Sequence, residues 1–117
     1  VFYSARSAYG TTIAQVAPMA GDTILIDESD RHYATLREAL DSYGRDQLVV
    51  TGVRAHVACL MAAAGSYLAG IELFSVADAT ADLSLDDHRQ AVQGAAEYGA
   101  MVTTTSQVIG QLLGVLA

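Results

Sequence analysis

Short apolar runs alternate along the chain with segments in which apolar residues recur every three or four positions. Five runs have the length and composition of strands that are covered on both faces: residues 1–5, 22–26, 47–51, 72–77 and 100–104. Helical spacing follows each of the last four runs. This alternation predicts an α/β fold in which parallel strands are joined by right-handed helical crossovers.

Four helices are predicted from the apolar spacing and from residues that begin or end helices. They span residues 35–43, about 55–68, from after Ser84 to before Gly99, and from a cap among residues 104–106 to residue 113. Gly44 suits the left-handed turn that ends the first helix, and the Ser84 hydroxyl suits the start of the third. The second helix is apolar on nearly every side, which predicts burial against the sheet and against a partner.

Length and composition are those of one packed domain. The chain has 117 residues, of which 52% are hydrophobic and only 16% are charged. A chain of this size buries a real core but is too short for two domains. We therefore expect a single domain over residues 1–117, built as a three-layer α/β/α sandwich with a mainly parallel sheet.

Charge and cysteine content exclude several classes of partner. Thirteen acidic residues against six arginines and no lysine give a net charge of −7, which repels nucleic acid. No apolar run approaches the roughly 20 residues that cross a bilayer, so no membrane partner is expected. The single cysteine rules out an intramolecular disulfide framework and favours a cytoplasmic location. The glycines are spread singly, without a phosphate-binding or dinucleotide motif, and no cofactor is expected.

Ligands of open parallel sheets bind beyond the carboxyl ends of the strands. The residues predicted to lie there are Arg6, Asp27, Glu28, 53–58, 78–82 and 103–106. The three histidines, His32, His56 and His88, do not have a metal-ligand spacing, and no metal is assigned. The candidate functional residues at this edge of the sheet are therefore its arginines and carboxylates.

Two segments carry a family resemblance: VVTGVRAHVAC at residues 49–59 and VADATADLS at residues 76–84. Together with residues 44–47, His88 and residues 102–104, they resemble the isochorismatase-like hydrolases, which include isochorismatases and related vinyl-ether hydrolases of siderophore and phenazine pathways. The likeness can be followed over about residues 18–107. It implies that residues 1–6 are the second strand of the family's fold, so that the chain is a truncated domain without the first strand and helix.

The resemblance also implies catalytic positions, and this chain departs from all three. The catalytic Asp of the family is expected before Val1, and the catalytic Lys has no counterpart, although Asp27 lies near its position. The nucleophilic Cys of nicotinamidase-like members falls on Ala58. A small residue there fits the isochorismatase branch, because vinyl-ether hydrolysis uses proton donation and water attack rather than a thioester. Cys59, one residue later, is interpreted as a small buried hydrophobe.

The predicted substrate-binding residues are Arg6, Arg54, Ala55, His56 and Ala58. Arg6 lies where isochorismatases tend to have a glutamine, and Arg54 lies where they have a tyrosine. Both arginines could clamp a carboxylate through charge-assisted hydrogen bonds. The alternative is that they pair with Asp27, Glu28 or Asp78 as structural ions. For His56 the favoured alternative is a structural role, as a hydrogen-bonding residue that orients its loop.

Asp78 and Asp82 are predicted to follow a strand, either as an acid and base pair or as residues that tie loops and cap a helix. The family tendency favours the second interpretation. The resemblance further implies a cis peptide bond between Val53 and Arg54. Asp27 is the single acid predicted to replace a catalytic group.

Three functional hypotheses follow. The chain is an enzyme of secondary metabolism that acts on a small cyclic or aromatic carboxylate with altered catalytic residues. Alternatively, it is a non-catalytic binding or assembly protein that keeps the fold. The third hypothesis is an incomplete domain whose first strand and helix are supplied by a partner chain, by domain exchange, or by sequence outside these residues. In each case a homodimer or higher homo-oligomer is expected.

Overall fold

The computed structural model describes the backbone of residues 2–5, 20, 23–26 and 32–114, and the side chains of residues 20, 36–57 and 59–114. The chain divides into two compact units, residues 1–44 and 45–117. Three residues of the predicted site, Arg6, Asp27 and Glu28, lie outside the described residues. The second unit carries the rest of the predicted site.

The described residues of the first unit form two strands and one helix. Strand β1 (Phe2–Ala5) pairs in parallel with β2 (Thr23–Ile26). Helix α1 (His32–Ser42) buries Leu36 and Leu40, which lie one turn apart on one face. The helix begins three residues before the predicted start, because the prediction followed the apolar spacing from Leu36 onward and such spacing does not fix the first turn of a helix.

The second unit is a three-stranded parallel sheet with helices between its strands. Its strands are β3 (Gln47–Val53), β4 (Glu72–Ala81) and β5 (Met101–Thr103), in the order β3-β4-β5. A π-helical turn (Ala55–Cys59) leads into α2 (Leu60–Ala69), and α3 (Leu85–Glu97) and α4 (Thr105–Leu113) follow β4 and β5. The predicted α/β fold with parallel strands is confirmed.

The core of this unit lies where α2 and α3 pack on the sheet. Ala63 of α2, Ala95 of α3 and Leu73 of β4 are buried together. Alanine at both helical positions lets the helix backbones approach the sheet closely. The predicted burial of the second helix is confirmed on this face. On its other face Leu68 is 85% exposed, so the predicted partner remains a prediction.

Strand β4 contains an irregularity that places Asp78. Val50 pairs with Ser75 but Gly52 pairs with Thr80, so β4 has three more residues than β3 over this stretch. His88 of α3 braces this bulge, because its Nε2 lies 2.9 Å from the carbonyl oxygen of Ala77. The prediction that Asp78 follows a strand is therefore wrong: β4 resumes after the bulge and ends at Ala81. Only Asp82 follows the strand.

Within the described residues, no helix is both long enough and apolar enough to span a bilayer. The prediction of a single domain over residues 1–117 stays a prediction.

Candidate functional site

The carboxyl ends of β3 and β4 bring together residues that are far apart in sequence. Val53, the last residue of β3, pairs with Ala81, the last residue of β4. Arg54 and Asp82 therefore leave neighbouring strands at the same edge of the sheet. The peptide bond between Val53 and Arg54 is cis, which confirms what the family resemblance implied.

Asp82 binds the start of the π-helical turn through His56. Its Oδ2 accepts a hydrogen bond from the backbone N–H of His56 at 2.7 Å and also contacts Nδ1 of the His56 ring. Its Oδ1 accepts from the backbone N–H of Leu83 at 2.7 Å. The Asp82 side chain has no exposed area, whereas 37% of the His56 side chain is exposed. Asp82 thus fixes both the backbone and the ring of His56.

The surroundings of Asp82 keep it ionised. Burial of the carboxyl raises its pKa, but hydrogen bonds from the His56 backbone, the His56 ring and the Leu83 backbone outweigh burial and lower the pKa to about 2. A carboxylate that is ionised and fully engaged is a poor proton donor. Asp82 therefore acts as a positioning residue for the loop that carries Arg54 and His56.

Asp78 of β4 likewise accepts hydrogen bonds, in its case from Thr105, the first residue of α4. Its Oδ1 accepts from the backbone N–H of Thr105 at 2.7 Å and from the Thr105 hydroxyl at 2.9 Å. The backbone N–H has the largest effect and the hydroxyl the next, and together they lower the pKa of Asp78. The interpretation of Asp78 and Asp82 as residues that tie loops and a helix together thus has direct structural support.

Arg54 follows β3 at this edge of the sheet, and its side chain is exposed. Among the residues that the structure describes, its guanidinium has no hydrogen-bond or ion-pair partner, and Asp78, one of its predicted partners, is bound to Thr105 instead. The next residue, Ala55, is only 2% exposed and anchors the turn in the protein interior. The arginine is thus held at its backbone while its side chain faces solvent.

Ala58 and Cys59 occupy the end of the π-helical turn. The backbone of Ala58 is described, but its side chain is not. Cys59 is buried, with Sγ 3.9 Å from the carbonyl oxygen of Gly52. Burial raises the pKa of the Cys59 thiol, and the charge of Asp82 raises it further. A thiol held in its protonated form is a poor nucleophile, which supports its interpretation as a small buried hydrophobe.

His56, Asp82 and Asp87 are the described residues with atoms close enough to share a metal ion, all within 4.8 Å of one another. However, Nδ1 of His56 and Oδ2 of Asp82 are already hydrogen-bonded to each other, and an ion would have to displace that contact. The arrangement fits a hydrogen-bonded pair better than a metal centre.

The sequence predicted His56 and Asp82 separately but missed their pairing. The signal was present, because each residue follows the end of one of two neighbouring parallel strands, and such ends meet at one edge of a sheet.

The fold defines an α/β protein with a parallel sheet, and comparison with known proteins identifies the family. The model of the isochorismatase domain matches residues 13–107, so the chain belongs to the isochorismatase family.

Two curated relatives and one solved structure illustrate the similarity. An isochorismatase of Bacillus subtilis (strain 168) is 36% identical over 102 residues, which are 86% of this chain and 33% of the relative. The phenazine biosynthesis protein PhzD of Pseudomonas fluorescens is 41% identical over 96 residues, which are 80% of this chain and 46% of the relative. The chain thus spans about a third to a half of the length of these relatives.

The crystal structure of an isochorismatase-like hydrolase from Alkaliphilus metalliredigens superposes with a TM-score of 0.82 at 19% identity, over 95% of this chain and 69% of the other. At this identity the superposition shows the fold alone. It confirms the isochorismatase-like fold class.

Proposed function

We propose that this chain forms part of an isochorismatase-like active site of secondary metabolism, which takes a small cyclic or aromatic carboxylate. The observation that carries the proposal is Arg54: a guanidinium without a partner among the described residues, next to the cis peptide bond at the carboxyl end of β3. The relatives named for isochorismatase and phenazine biosynthesis support the substrate class.

In this proposal Arg54 binds the substrate carboxylate, since a guanidinium forms two parallel hydrogen bonds with a carboxylate. Arg6 is proposed as a second cation for the same group. The buried Ala55 supports the substrate-binding loop from the interior. The small residue Ala58 is proposed to leave room for the ring, and His56, held through Nδ1 by Asp82, is proposed to present Nε2 to the substrate. A preorganised loop loses little entropy when ligand binds, which favours affinity.

The proposed chemistry needs a proton donor and a water molecule. Asp27 is proposed as the acid, because it lies near the position of the family's catalytic lysine and this chain contains no lysine. Protonation of the vinyl-ether carbon gives an oxocarbenium ion, and water adds to this ion with loss of a proton. The resulting hemiketal then breaks its C–O bond and releases a carbonyl compound and an alcohol. None of these steps requires a nucleophilic cysteine, which agrees with alanine at position 58.

Binding of benzoate, compared with binding of neutral benzamide of similar shape, tests the role of Arg54. Arg54→Ala is expected to weaken benzoate binding about 10-fold or more, as loss of hydrogen bonds to a charged group does, and to leave benzamide binding unchanged. Arg54→Lys should restore part of the affinity. Arg89→Ala, which removes an exposed arginine from α3, is the matched control. Equal benzoate affinity in Arg54→Ala and the unchanged chain would contradict the proposal.

Turnover distinguishes the two forms of this proposal. Isochorismate, for which the Bacillus relative is named, should be consumed by the unchanged chain and not by Asp27→Asn if Asp27 is the acid. The second candidate function is a non-catalytic binding protein, and the lack of any lysine in the chain favours it. Saturable binding of a carboxylate without consumption of isochorismate would select this second function.

A homo-oligomer is part of the proposal. Met61 and Leu68 of α2 are 58% and 85% exposed and lie about two turns apart on one face, which leaves an apolar surface available to a second copy. Sedimentation equilibrium should show a dimer or larger species, and Leu68→Arg should shift it toward the monomer. A cytoplasmic location stays a prediction.

A further inference from the structure

A cavity lies at the opposite edge of the three-stranded sheet from the candidate site. It has a volume of about 350 Å³ and is formed where α2 and α3 end and β4 and β5 begin. Its lining includes Tyr67, Gly70, Glu72, Leu73, Tyr98 and Gly99. Because β4 and β5 are parallel to β3, this amino edge is a strand's length away from Arg54 and His56. The cavity therefore does not belong to the candidate site described above.

Two tyrosines form the aromatic part of the lining. Tyr67 and Tyr98 come from the last turn of α2 and the end of α3, and they are 65% and 46% exposed. Tyr67 lies over the turn at Gly99, since a Cβ on that glycine would stand 3.9 Å from the Cδ2 atom of Tyr67. Tyrosine ring faces attract cations through their negative quadrupole.

The charges at the rim of the cavity are negative. The carboxyl ends of α2 and α3 both lie at its rim, where a helix carries a partial negative charge, and neither helix has a basic residue in its last turn. Glu72 adds a full negative charge, and its Oε2 is held by the side-chain amide of Gln47 at 3.0 Å. A neutral amide partner leaves that charge uncompensated.

Apolar surface completes the site. Leu73 and Ala63 are 4% and 2% exposed and belong to both the core and the cavity lining. Methylated or alkyl-substituted ammonium groups combine a positive charge with apolar surface, and aromatic walls with a nearby carboxylate are the usual means of binding them.

We propose that this cavity binds a small organic cation with a quaternary or alkylated ammonium group. The cation interacts with the rings of Tyr67 and Tyr98, and Glu72 and the two helix ends provide the negative potential. This site is separate from the proposed carboxylate site, and its occupancy does not depend on the chemistry at Arg54.

Choline and 3,3-dimethylbutan-1-ol provide a direct test, because they have nearly the same shape and differ in charge. Titration of the chain with each compound is followed by the NMR signals of the tyrosine rings. Choline is expected to shift the signals of Tyr67 and Tyr98 saturably, in the millimolar range, and to bind about fivefold more tightly than the neutral alcohol. Equal binding of the two compounds, or no saturable shift with choline, would overturn the proposal.

Variants locate the site. Glu72→Gln and Tyr67→Ala are each expected to weaken choline binding about two- to fivefold, as loss of one exposed cation interaction does. Glu38→Gln, which makes the same charge change on α1, and Leu68→Ala, which truncates the exposed neighbour of Tyr67, are the matched controls and should bind choline as the unchanged chain does. If Tyr67→Ala and Leu68→Ala have the same effect, the cavity is not the binding site.

Discussion

The structure predicts that replacing Ser66 by alanine stabilises the chain. It lies within α2 with no exposed area, and its hydroxyl has no hydrogen-bond partner among the described residues. An unpaired buried hydroxyl lowers stability by about 1–3 kcal/mol, because it loses its hydrogen bonds to water on folding. Ser66→Ala removes this group without adding volume.

The gain in the free energy of unfolding that we expect from Ser66→Ala is at the low end of the cost of burying the unpaired hydroxyl. Alanine also has the higher helix propensity, by up to about 0.7 kcal/mol, whereas removal of the oxygen leaves a small void with lost packing contacts. These terms together predict that Ser66→Ala raises the free energy of unfolding by about 1 kcal/mol. The midpoint of thermal unfolding should rise by about 4 °C.

Urea denaturation followed by circular dichroism measures the change in the free energy of unfolding. Ser106→Ala is the control, since it makes the same chemical change at an exposed position of α4, where the expected effect is within about 0.5 kcal/mol. A loss of about 1 kcal/mol or more in Ser66→Ala would refute the reasoning, because it would mean that the hydroxyl makes a stabilising hydrogen bond.

Three further predictions concern the packing, a helix cap and a carboxylate. Leu73→Ala should lower the free energy of unfolding by about 2–5 kcal/mol in urea denaturation, since the neighbouring alanines cannot fill the space, whereas Leu73→Ile should cost less than about 1.5 kcal/mol. Thr104→Ala breaks the capping box with Gln107 and should cost about 1 kcal/mol, with faster hydrogen exchange in α4 as the local readout. Asp82 has a pKa lowered to about 2 in the folded chain, so its stabilising effect is complete above the unfolded pKa near 4 and is lost as the pH falls toward 2. Asp82→Asn should therefore be less stable than the unchanged chain at pH 6, with the difference shrinking below pH 4; a pH-independent difference would count against the assignment.

Local chemistry explains why much of the fold could be read from the sequence. Ser84 caps α3 by accepting from the backbone N–H of Asp87, and Thr104 begins α4, both within the predicted ranges. Gly70 ends α2 with a φ of 71°, in the left-handed conformation that glycine adopts without strain. Such features depend on residues within one turn of each other, so a linear sequence contains them in full.

The site was only partly predictable because its contacts join distant residues. Arg54 and His56 were predicted by their place after a strand, but the binding of His56 by Asp82 crosses 26 positions and depends on the register of β3 against β4. That register includes the bulge in β4, which no local sequence pattern predicted. Because of the bulge, Asp78 lies within β4 and not after its end.

The sequence by itself determined the order of the described strands and helices, the caps of α3 and α4, the parallel α/β class and the family. Apolar periodicity, caps and motif residues act locally or are visible as composition. Only the tertiary structure decided which face of α2 is buried, which carboxylate binds His56, and that Tyr67, Glu72 and Tyr98 surround one cavity. These outcomes depend on strand register and helix packing. Both arise from the simultaneous fit of side chains that lie far apart in the chain, and that fit is not encoded at any single position.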